Sequence, residues 1–184
     1  MGRSKATLPI GAGETFLTRI VHTLVAAGVE DVVVVLGHEP QQVLESLVGL
    51  DLPVRVVMNP AYESGQLSSV LAGLRAIDRP GVNAMLFTLV DVPFGSSDTA
   101  RAVLARYHET GAPIVRPVSR GRHGHPIVVD RSIFPLLRSA DPGLGMKAIV
   151  RAHVSTSGDV EVDDEGAFID VDTPEDYAKL GTGG

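Results

Sequence analysis

Apolar side chains recur along this chain at helical and then at strand spacing, in alternation. Residues 16–27 carry a repeating apolar face that stops at Gly28, which predicts an amphipathic helix. Residues 32–36, which follow Asp31, are all Val or Leu, and this is the pattern of a strand buried on both faces. By the same criteria we predict helices at 40–47, 67–77, 97–111, 131–138, 145–152 and from 174 onward, and strands at 31–36, 53–58, 84–90, 113–118, 126–130, 161–162 and 168–171. This order predicts an α/β fold of three layers, with helices on both faces of a mostly parallel (mixed) sheet, as a single domain over residues 1–184.

One carboxylate closes the longest apolar run of the chain. Asp91 follows residues 84–90, and Val92 and Pro93 come directly after it. A buried strand that ends in Asp and a Pro-containing turn places the charge at the carboxyl edge of the sheet, where open α/β proteins bind ligands. A carboxylate there suits Mg²⁺ and the phosphates that accompany it. The alternative interpretation is an Asp that only forms the turn.

A second pair of acids stands near the end of the sequence. Asp170 and Asp172 are separated by one residue, so an extended backbone presents both on the same face. Thr173 follows as the predicted N-cap of the last helix, with Asp176 as its capping-box partner. Asp172 is therefore either a second Mg²⁺ ligand facing Asp91 or a charge that stabilises the start of that helix.

Three loops supply further candidates. Lys5 lies in a Gly-containing basic segment and is either a charge that neutralises phosphate or an exposed lysine. Gly65, Ser68 and Ser69 stand at a predicted helix start, where free N–H groups and hydroxyls contact a base or phosphate, or simply cap the helix. The loop 119–125 holds Arg, Gly and His; its histidines are too few for zinc, which favours recognition of an anionic substrate.

Composition excludes several functional classes. The net charge of −6 argues against the basic stripe of a nonspecific nucleic-acid binder, and the absence of Trp argues against stacking of single strands. No apolar run reaches the roughly 20 residues that span a bilayer, and no signal peptide is visible at the start. Cysteine is absent as well. We therefore expect a cytoplasmic protein that has neither nucleic acid nor membrane as a partner.

Five segments, in this order, resemble the molybdenum cofactor nucleotidyltransferase family, most closely its cytidylyltransferase branch. The first is Met-Gly followed by Lys5 and Pro9, which resembles the second half of the family's Gly-rich loop. Asp91 and Pro93 resemble its Asp-x-Pro, and residues 121–126 its Gly-x-x-Gly-His-Pro. Residues 59–69 and 170–176 complete a match that covers essentially the whole chain.

The resemblance implies a Rossmann-like nucleotidyltransferase fold that binds CTP or GTP with Mg²⁺. It implies transfer of CMP or GMP to the phosphate of molybdopterin cofactor, with release of pyrophosphate, and a molybdoenzyme is a possible further partner. Lys5, Asp91 and Asp172 match the catalytic residues of the family, the two acids as metal ligands. The matching nucleotide-binding residues are Gly2, Leu8, Gly65, Ser68 and Ser69, and the matching substrate-binding residues are Arg122, Gly124 and His125.

The sequence departs from this family at its start. The family's first strand and the first half of its Gly-rich loop have no counterpart ahead of Met1, so residues 1–9 match only the rest of that loop, and residues 181–184 are expected to be a frayed tail. Either the start was assigned at an internal Met or the protein is shortened, and a shortened protein must fill a gap in its sheet. Two alternatives stay open: a non-catalytic partner that binds molybdenum cofactor during maturation of a molybdoenzyme, and a nucleotide-sugar enzyme with an Asp-x-Asp motif.

Overall fold

The computed structural model describes residues 4–11, 13–48, 53–141 and 145–180. The α-helices within these ranges are α1 Phe16–Ala26, α2 Pro40–Leu47, α3 Gln66–Ile77, α4 Ser97–Thr110, α5 Phe134–Ser139, α6 Gly145–His153 and α7 Pro174–Leu180. The strands are β1 Pro9–Gly11, β2 Glu14–Thr15, β3 Val32–Leu36, β4 Val54–Met58, β5 Ala84–Phe87, β6 Ile114–Ser119, β7 Arg122–His123, β8 Ile127–Asp130 and β9 Asp159–Glu161. None of these helices is both long and apolar enough to cross a bilayer.

The strands pair in both directions, as expected for a mixed sheet. β3 and β4 are parallel in one ladder. In a second ladder β8 lies antiparallel between β5 and β6, and β9 runs parallel to β6 on the other side. β7 turns back on the end of β6, and β1 with β2 forms a separate hairpin. The predicted α/β fold with a mixed sheet is confirmed.

Three layers follow from the way successive strand residues point to opposite faces. On β8, Val129 packs with α3, α5 and α6 through Leu74 and Leu137, whereas its neighbour Val128 packs with α4 through Val103. All five of these side chains are fully buried. Helices therefore cover both faces of the sheet, and the sheet edge remains open for loops.

Two predicted strands differ from the structure: one is shorter than predicted and the other is absent. The strand predicted at 84–90 stops at Phe87, because the chain turns at residues 90–91 and Val92 N–H donates to the Leu89 carbonyl. The strand predicted at 168–171 is absent: a 3₁₀ turn occupies Glu165–Phe168, and the following residues join no ladder. Their backbone groups instead bond to loops, as when Val171 N–H donates to the Asp91 carbonyl at 2.8 Å. This prediction from pattern was wrong because loop contacts replace a strand partner.

The predicted cap of the last helix is confirmed. Thr173 Oγ1 accepts from Asp176 N–H, and Asp176 Oδ2 accepts from Thr173 N–H, each at 3.1 Å. A second capping box, at the start of α1, pairs Thr15 with Thr18 and was not predicted. Both devices satisfy N–H groups that a helix start leaves free. The cap at Thr173 fixes where the preceding acidic residues lie.

Candidate functional site

The loop after β5 and the segment before α7 meet at the carboxyl edge of the sheet. The hydrogen bond from Val171 N–H to the Asp91 carbonyl joins them. The Val171 side chain is fully buried and packs with Leu8 and Phe16. Because both the backbone and the side chain of Val171 are held in place, the neighbouring Asp170 and Asp172 are kept close to Asp91.

Lys5 lies between two of the predicted carboxylates. Its Nζ is 2.8 Å from Asp172 Oδ1 and 3.8 Å from Asp91 Oδ2. Its neighbour Ala6 is buried among apolar side chains, as is Leu8 two residues further on, and this holds the Lys5 backbone in place. Three side chains predicted from separate motifs therefore form one charge cluster.

Asp91 is the least solvated member of the cluster. Its Oδ1 is buried and has no hydrogen-bond partner in the described part of the chain, and its side chain is 26% exposed compared with 65% for Asp172. Burial raises the pKa of Asp91 above its ordinary value; the Lys5 ammonium opposes that shift, and Asp170 and Asp172 add to it. A buried, unpartnered carboxylate oxygen is the atom that a cation or a proton would satisfy.

The donor set fits a hard divalent cation. Asp91 and Asp172 offer carboxylate oxygens, which Mg²⁺ prefers, and Lys5 stands where an anionic ligand would add negative charge. Residues 4–180, outside the undescribed gaps, assemble no cluster of three or more His, Asp and Glu side chains for a metal. A cation here would take its remaining ligands from water and phosphate, as is usual for Mg²⁺.

The buried side chain of His125 lies beside this cluster. Its ring packs edge-on against Phe87 at 5.8 Å between ring centres, and its backbone N–H donates to the Ala167 carbonyl at 2.9 Å. Burial lowers the pKa of His125, while a hydrogen bond with the Phe87 backbone and the charges of Asp170 and Asp91 oppose this shift. His125 Nδ1 is also buried without a partner in the described residues. A buried imidazole with one nitrogen unpaired among the described residues therefore lies within electrostatic range of Asp91 and Asp170.

Gly124 allows this loop to approach the segment near Ala167. A Cβ on Gly124 would lie 2.3 Å from the Ala167 carbonyl oxygen and 2.8 Å from the Phe168 ring, distances that real side chains do not reach. Arg122 in the same loop pairs with Glu165 and lies over the Phe168 ring at 5.1 Å. Gly124 is thus required by packing, and no hydrogen bond or ion pair among the described residues joins Arg122 to Asp91 or Lys5.

Asn59 organises the two predicted serines. It is 4% exposed, and its Nδ2 donates to Ser68 Oγ at 2.8 Å and to Ser69 Oγ at 3.0 Å. Gly65, at φ +98°, is the N-cap of α3, and its carbonyl accepts from Ser68 Oγ at 2.8 Å. The loop therefore presents the free N–H groups of a helix start and fixed hydroxyls, which suit a polar or anionic ligand.

The remaining predicted residues are placed differently. Leu8 has its side chain in the core with Phe16, so only its backbone is available to a ligand. Gly2 and residues 181–184 lie outside the described residues. Lys5, Asp91, Asp172 and His125 lie at one edge, whereas no hydrogen bond or ion pair between described residues links Ser68 and Ser69 to them.

Two features of the site were not predicted as site residues. Asn59 was noted only as part of a motif, although an Asn that follows a strand and precedes Pro60 is a signal for a side chain that bonds the local backbone. Asp170 acts on the pKa of both Asp91 and His125 through its charge. Its position one residue from Val171 was visible, but the neighbours on which it acts depend on tertiary contacts.

The arrangement can bind and polarise phosphate. A lysine ammonium, two carboxylates that fit a divalent cation, and a helix start with fixed hydroxyls supply charge neutralisation and positioning. No covalent nucleophile is needed for transfer between phosphates, because such chemistry depends mainly on alignment and charge.

Comparison with known proteins gives the family. Residues 1–157 match the MobA-like NTP transferase domain. The chain is 32% identical to a nicotine blue oxidoreductase of Paenarthrobacter nicotinovorans, over 98% of this chain and 89% of that protein. It is 28% identical to a molybdenum cofactor guanylyltransferase of Cereibacter sphaeroides, over 97% of this chain and 86% of that protein.

A solved structure agrees with both the fold and the family. Rv0371c of Mycobacterium tuberculosis in complex with manganese superposes with a TM-score of 0.73 at 26% identity, over 97% of this chain and 92% of that one. The expected Rossmann-like nucleotidyltransferase fold and the resemblance from five motifs are both confirmed. The chain belongs to the MobA-like NTP transferase domain family.

Proposed function

We propose that this protein transfers CMP or GMP from CTP or GTP to the phosphate of molybdopterin cofactor. A bond forms between an oxygen of the acceptor phosphate and the α-phosphorus of the nucleotide. The bond to the β-phosphate breaks, and pyrophosphate leaves with the electron pair. The observation that carries the proposal is the cluster of Lys5, Asp91 and Asp172 at the carboxyl edge of the sheet.

Each named residue has a distinct part in the proposal. Asp91 and Asp172 hold Mg²⁺, which neutralises the triphosphate when bound, and Lys5 stabilises the charge that develops on the phosphates. The loop at Gly65, with Ser68 and Ser69, contacts the nucleoside, as do the segments at Gly2 and Leu8. Arg122, Gly124 and His125 line the acceptor side.

The relatives support this choice without fixing the base or the acceptor. One relative is named a molybdenum cofactor guanylyltransferase, which favours GTP, whereas the resemblance of the five motifs is closest to the cytidylyltransferase branch and leaves both CTP and GTP open. The manganese complex of Rv0371c supports a divalent cation of some kind. A cytoplasmic location, with the CTP and GTP pools, stays a prediction, as does the treatment of residues 1–184 as one domain.

The test is release of pyrophosphate by the purified protein with Mg²⁺, molybdopterin cofactor and either CTP or GTP. Lys5→Met should lower kcat at least about 100-fold, because it removes a charge that stabilises the transition state but keeps the apolar stem. Lys147→Met, at an exposed position on α6, is the matched control and should leave the rate unchanged.

Other outcomes would replace the proposal. Tight binding of molybdopterin cofactor without pyrophosphate release would indicate the maturation-partner alternative. Turnover of a nucleotide with a sugar phosphate as acceptor would indicate the nucleotide-sugar alternative. Because one relative is named an oxidoreductase, the same samples are tested for oxidation of NADH and NADPH, and turnover there would overturn a transferase role.

A further inference from the structure

The outer edge of β4 has no partner among the described residues. β4 forms a parallel ladder with β3, and no other described strand pairs with it. Six large apolar side chains are exposed in the described ranges, and two of them, Val56 at 37% and Met58 at 49%, lie on this strand. An open edge with exposed apolar side chains is a surface to which another strand can pair.

Backbone hydrogen bonding shows which residues of β4 face outward. At one end of the ladder Val32 N–H donates to the Pro53 carbonyl, and at the other end Asn59 N–H donates to the Leu36 carbonyl at 2.7 Å. Because the bonding direction alternates along a strand, the odd-numbered residues of 53–59 turn their N–H and C=O groups toward β3. The even-numbered residues between them turn theirs toward the open edge.

The outward residues are complementary to themselves. When two copies of β4 run antiparallel with a two-fold axis at Val56, Val56 pairs with its own equivalent, and Val54 pairs with Met58 of the second copy. All three are outward-facing residues, and each such pair exchanges two N–H···O bonds, which gives about six bonds in all. The paired side chains are apolar and lie on one face of the sheet, so they pack across the junction.

The strand lacks the features that keep edge strands apart. No Lys, Pro or bulge interrupts β4, and such features are what natural proteins use against edge pairing. Its one charged residue, Arg55, is bound within its own protomer: Nε and Nη2 donate to Asp31 at 2.8 Å each, and Nη1 donates to the Ala76 carbonyl at 3.3 Å. These bonds hold the Arg55 charge away from the open edge, so it does not oppose a second copy.

The helix beside β4 leaves room for a second copy. α2 packs on both β3 and β4, in a cluster where Val43 contacts the side chains around Leu36 and Val54. Neighbouring strands lie about 4.8 Å apart, so a helix over the β3 and β4 pair lies about 4.8 Å to one side of the two-fold axis. The two copies of α2 then lie about 10 Å apart, which is within the range of about 8–10 Å at which helices pack.

We infer that the open edge of β4 pairs with β4 of a second copy of this chain, antiparallel about a two-fold axis at Val56. The sheets of the two copies then continue into one another across the junction. Because the strands run in opposite directions, the carboxyl edges of the two sheets face opposite ways, and both charge clusters stay open. The inference depends on the strand edge and holds whatever reaction the charge cluster performs.

Sedimentation velocity of the full chain tests the dimer. Between about 1 and 500 μM the protein should shift from monomer to dimer, with a Kd of about 1–100 μM, as expected for a small interface. Val56→Lys places two ammonium groups opposite each other and should raise that Kd at least about 30-fold. The matched control is Leu136→Lys on α5, because Leu136 is exposed to nearly the same extent, 40%, and this variant should leave the Kd unchanged.

Cross-linking tests the register, because the chain contains no cysteine. Val56→Cys places two thiols on residues whose Cα atoms lie about 5.5 Å apart, within the range of disulfides, so mild oxidation should join most of the protein into dimers. Met58→Cys is the control: its two copies lie four positions out of register, about 14 Å apart, and should not join. Since Met58 is more exposed than Val56, random collisions would favour the control instead.

Three results would overturn the inference. The first is a monomer at every concentration; if the free peptide Val-Arg-Val-Val-Met then protects the Val56 amide from hydrogen exchange, the occupant is an extended segment of another protein. The second is a dimer whose Kd is unchanged by Val56→Lys, which would place the interface elsewhere. The third is equal disulfide formation by Val56→Cys and Met58→Cys, which would mean chance collisions.

Discussion

Asp91 should destabilise the protein on its own and stabilise it only when a cation is bound. Its Oδ1 is buried and unpartnered in the described residues, and its pKa is raised by burial. We therefore predict that Asp91→Asn makes the metal-free protein more stable at pH 8 and at the same time weakens binding of Mg²⁺ or Mn²⁺. If Asp91 only formed a turn, the substitution would lower stability and leave metal affinity unchanged.

The magnitude follows from the contacts of Asp91. An unsatisfied buried group costs about 1–3 kcal/mol when neutral and more when charged, so we take about 2 kcal/mol for the extra cost of the charge, since asparagine keeps a neutral polar atom at the same place. The asparagine loses the attraction to Lys5, 3.8 Å away, which at this partial exposure is worth up to about 1 kcal/mol. The net expectation is an increase of about 1 kcal/mol in the free energy of unfolding.

The effect should depend on pH in a defined direction. Because the pKa of Asp91 is raised in the folded protein, the wild type gains stability as the pH falls through that raised pKa. The advantage of Asp91→Asn should be small near the unfolded carboxyl pKa of about 3.9, and it should grow as the pH rises through the raised value and level off above it.

Urea unfolding in EDTA at pH 4.5 and at pH 8 measures the first half of the prediction, and calorimetric titration with Mn²⁺ measures the second. Metal affinity should fall at least about tenfold, comparable to or above the loss caused by removing an outer-shell partner. Asp163→Asn, at an exposed position, is the control and should change neither quantity. A loss of stability at pH 8 with unchanged metal affinity would refute the reasoning and assign Asp91 to the turn.

Two further substitutions test the loops around the cluster. Gly124→Ala forces a Cβ to 2.3 Å from the Ala167 carbonyl oxygen, so it should lower the free energy of unfolding by about 2 kcal/mol in urea; an unchanged midpoint would show that the loop moves aside without cost. Asn59→Leu removes the buried amide that bonds Ser68 and Ser69, and it should cost about 2 kcal/mol and weaken CTP and GTP binding in titration. Full nucleotide affinity in that variant would mean that the serines do not contact the nucleotide.

Local signals in the sequence predicted the elements well where one side chain decides the boundary. Thr173 caps α7 as predicted, and α4 spans Ser97–Thr110 compared with the predicted 97–111, with Ser96 as its N-cap and Gly111 following it in the left-handed conformation. Each of these helix ends depends on hydrogen bonds and backbone conformation within a few residues, so the local sequence is enough to predict it. Strand direction has no such local cause, and the antiparallel insertion of β8 between β5 and β6 was not foreseen.

The candidate site likewise has a part that local sequence predicts and a part that depends on long-range contacts. Asp91 at the sheet edge followed from the apolar run before it, because a buried strand must end at an edge. Its neighbours depended on long-range contacts: Lys5 and Asp172 are 167 residues apart and meet through a 2.8 Å bond. Their convergence was expected from the resemblance to a known family and not from periodicity. The unsatisfied Oδ1 of Asp91 could not be predicted from the sequence, because burial of one atom is a property of the packed fold.

The charge cluster depends on the packing of α7 against the segment that carries Lys5. Residues 4–8 carry Lys5, and Leu8 in this segment packs with Phe16, which in turn packs against Tyr177 of α7. Tyr177 in turn donates to the Pro9 carbonyl at 2.6 Å. Anything that orders the segment at residues 4–8 therefore also fixes Lys5 against Asp172. By linkage, a cation or phosphate bound at Lys5 and Asp172 should tighten the docking of α7, because a ligand that binds only the ordered state shifts the equilibrium toward it.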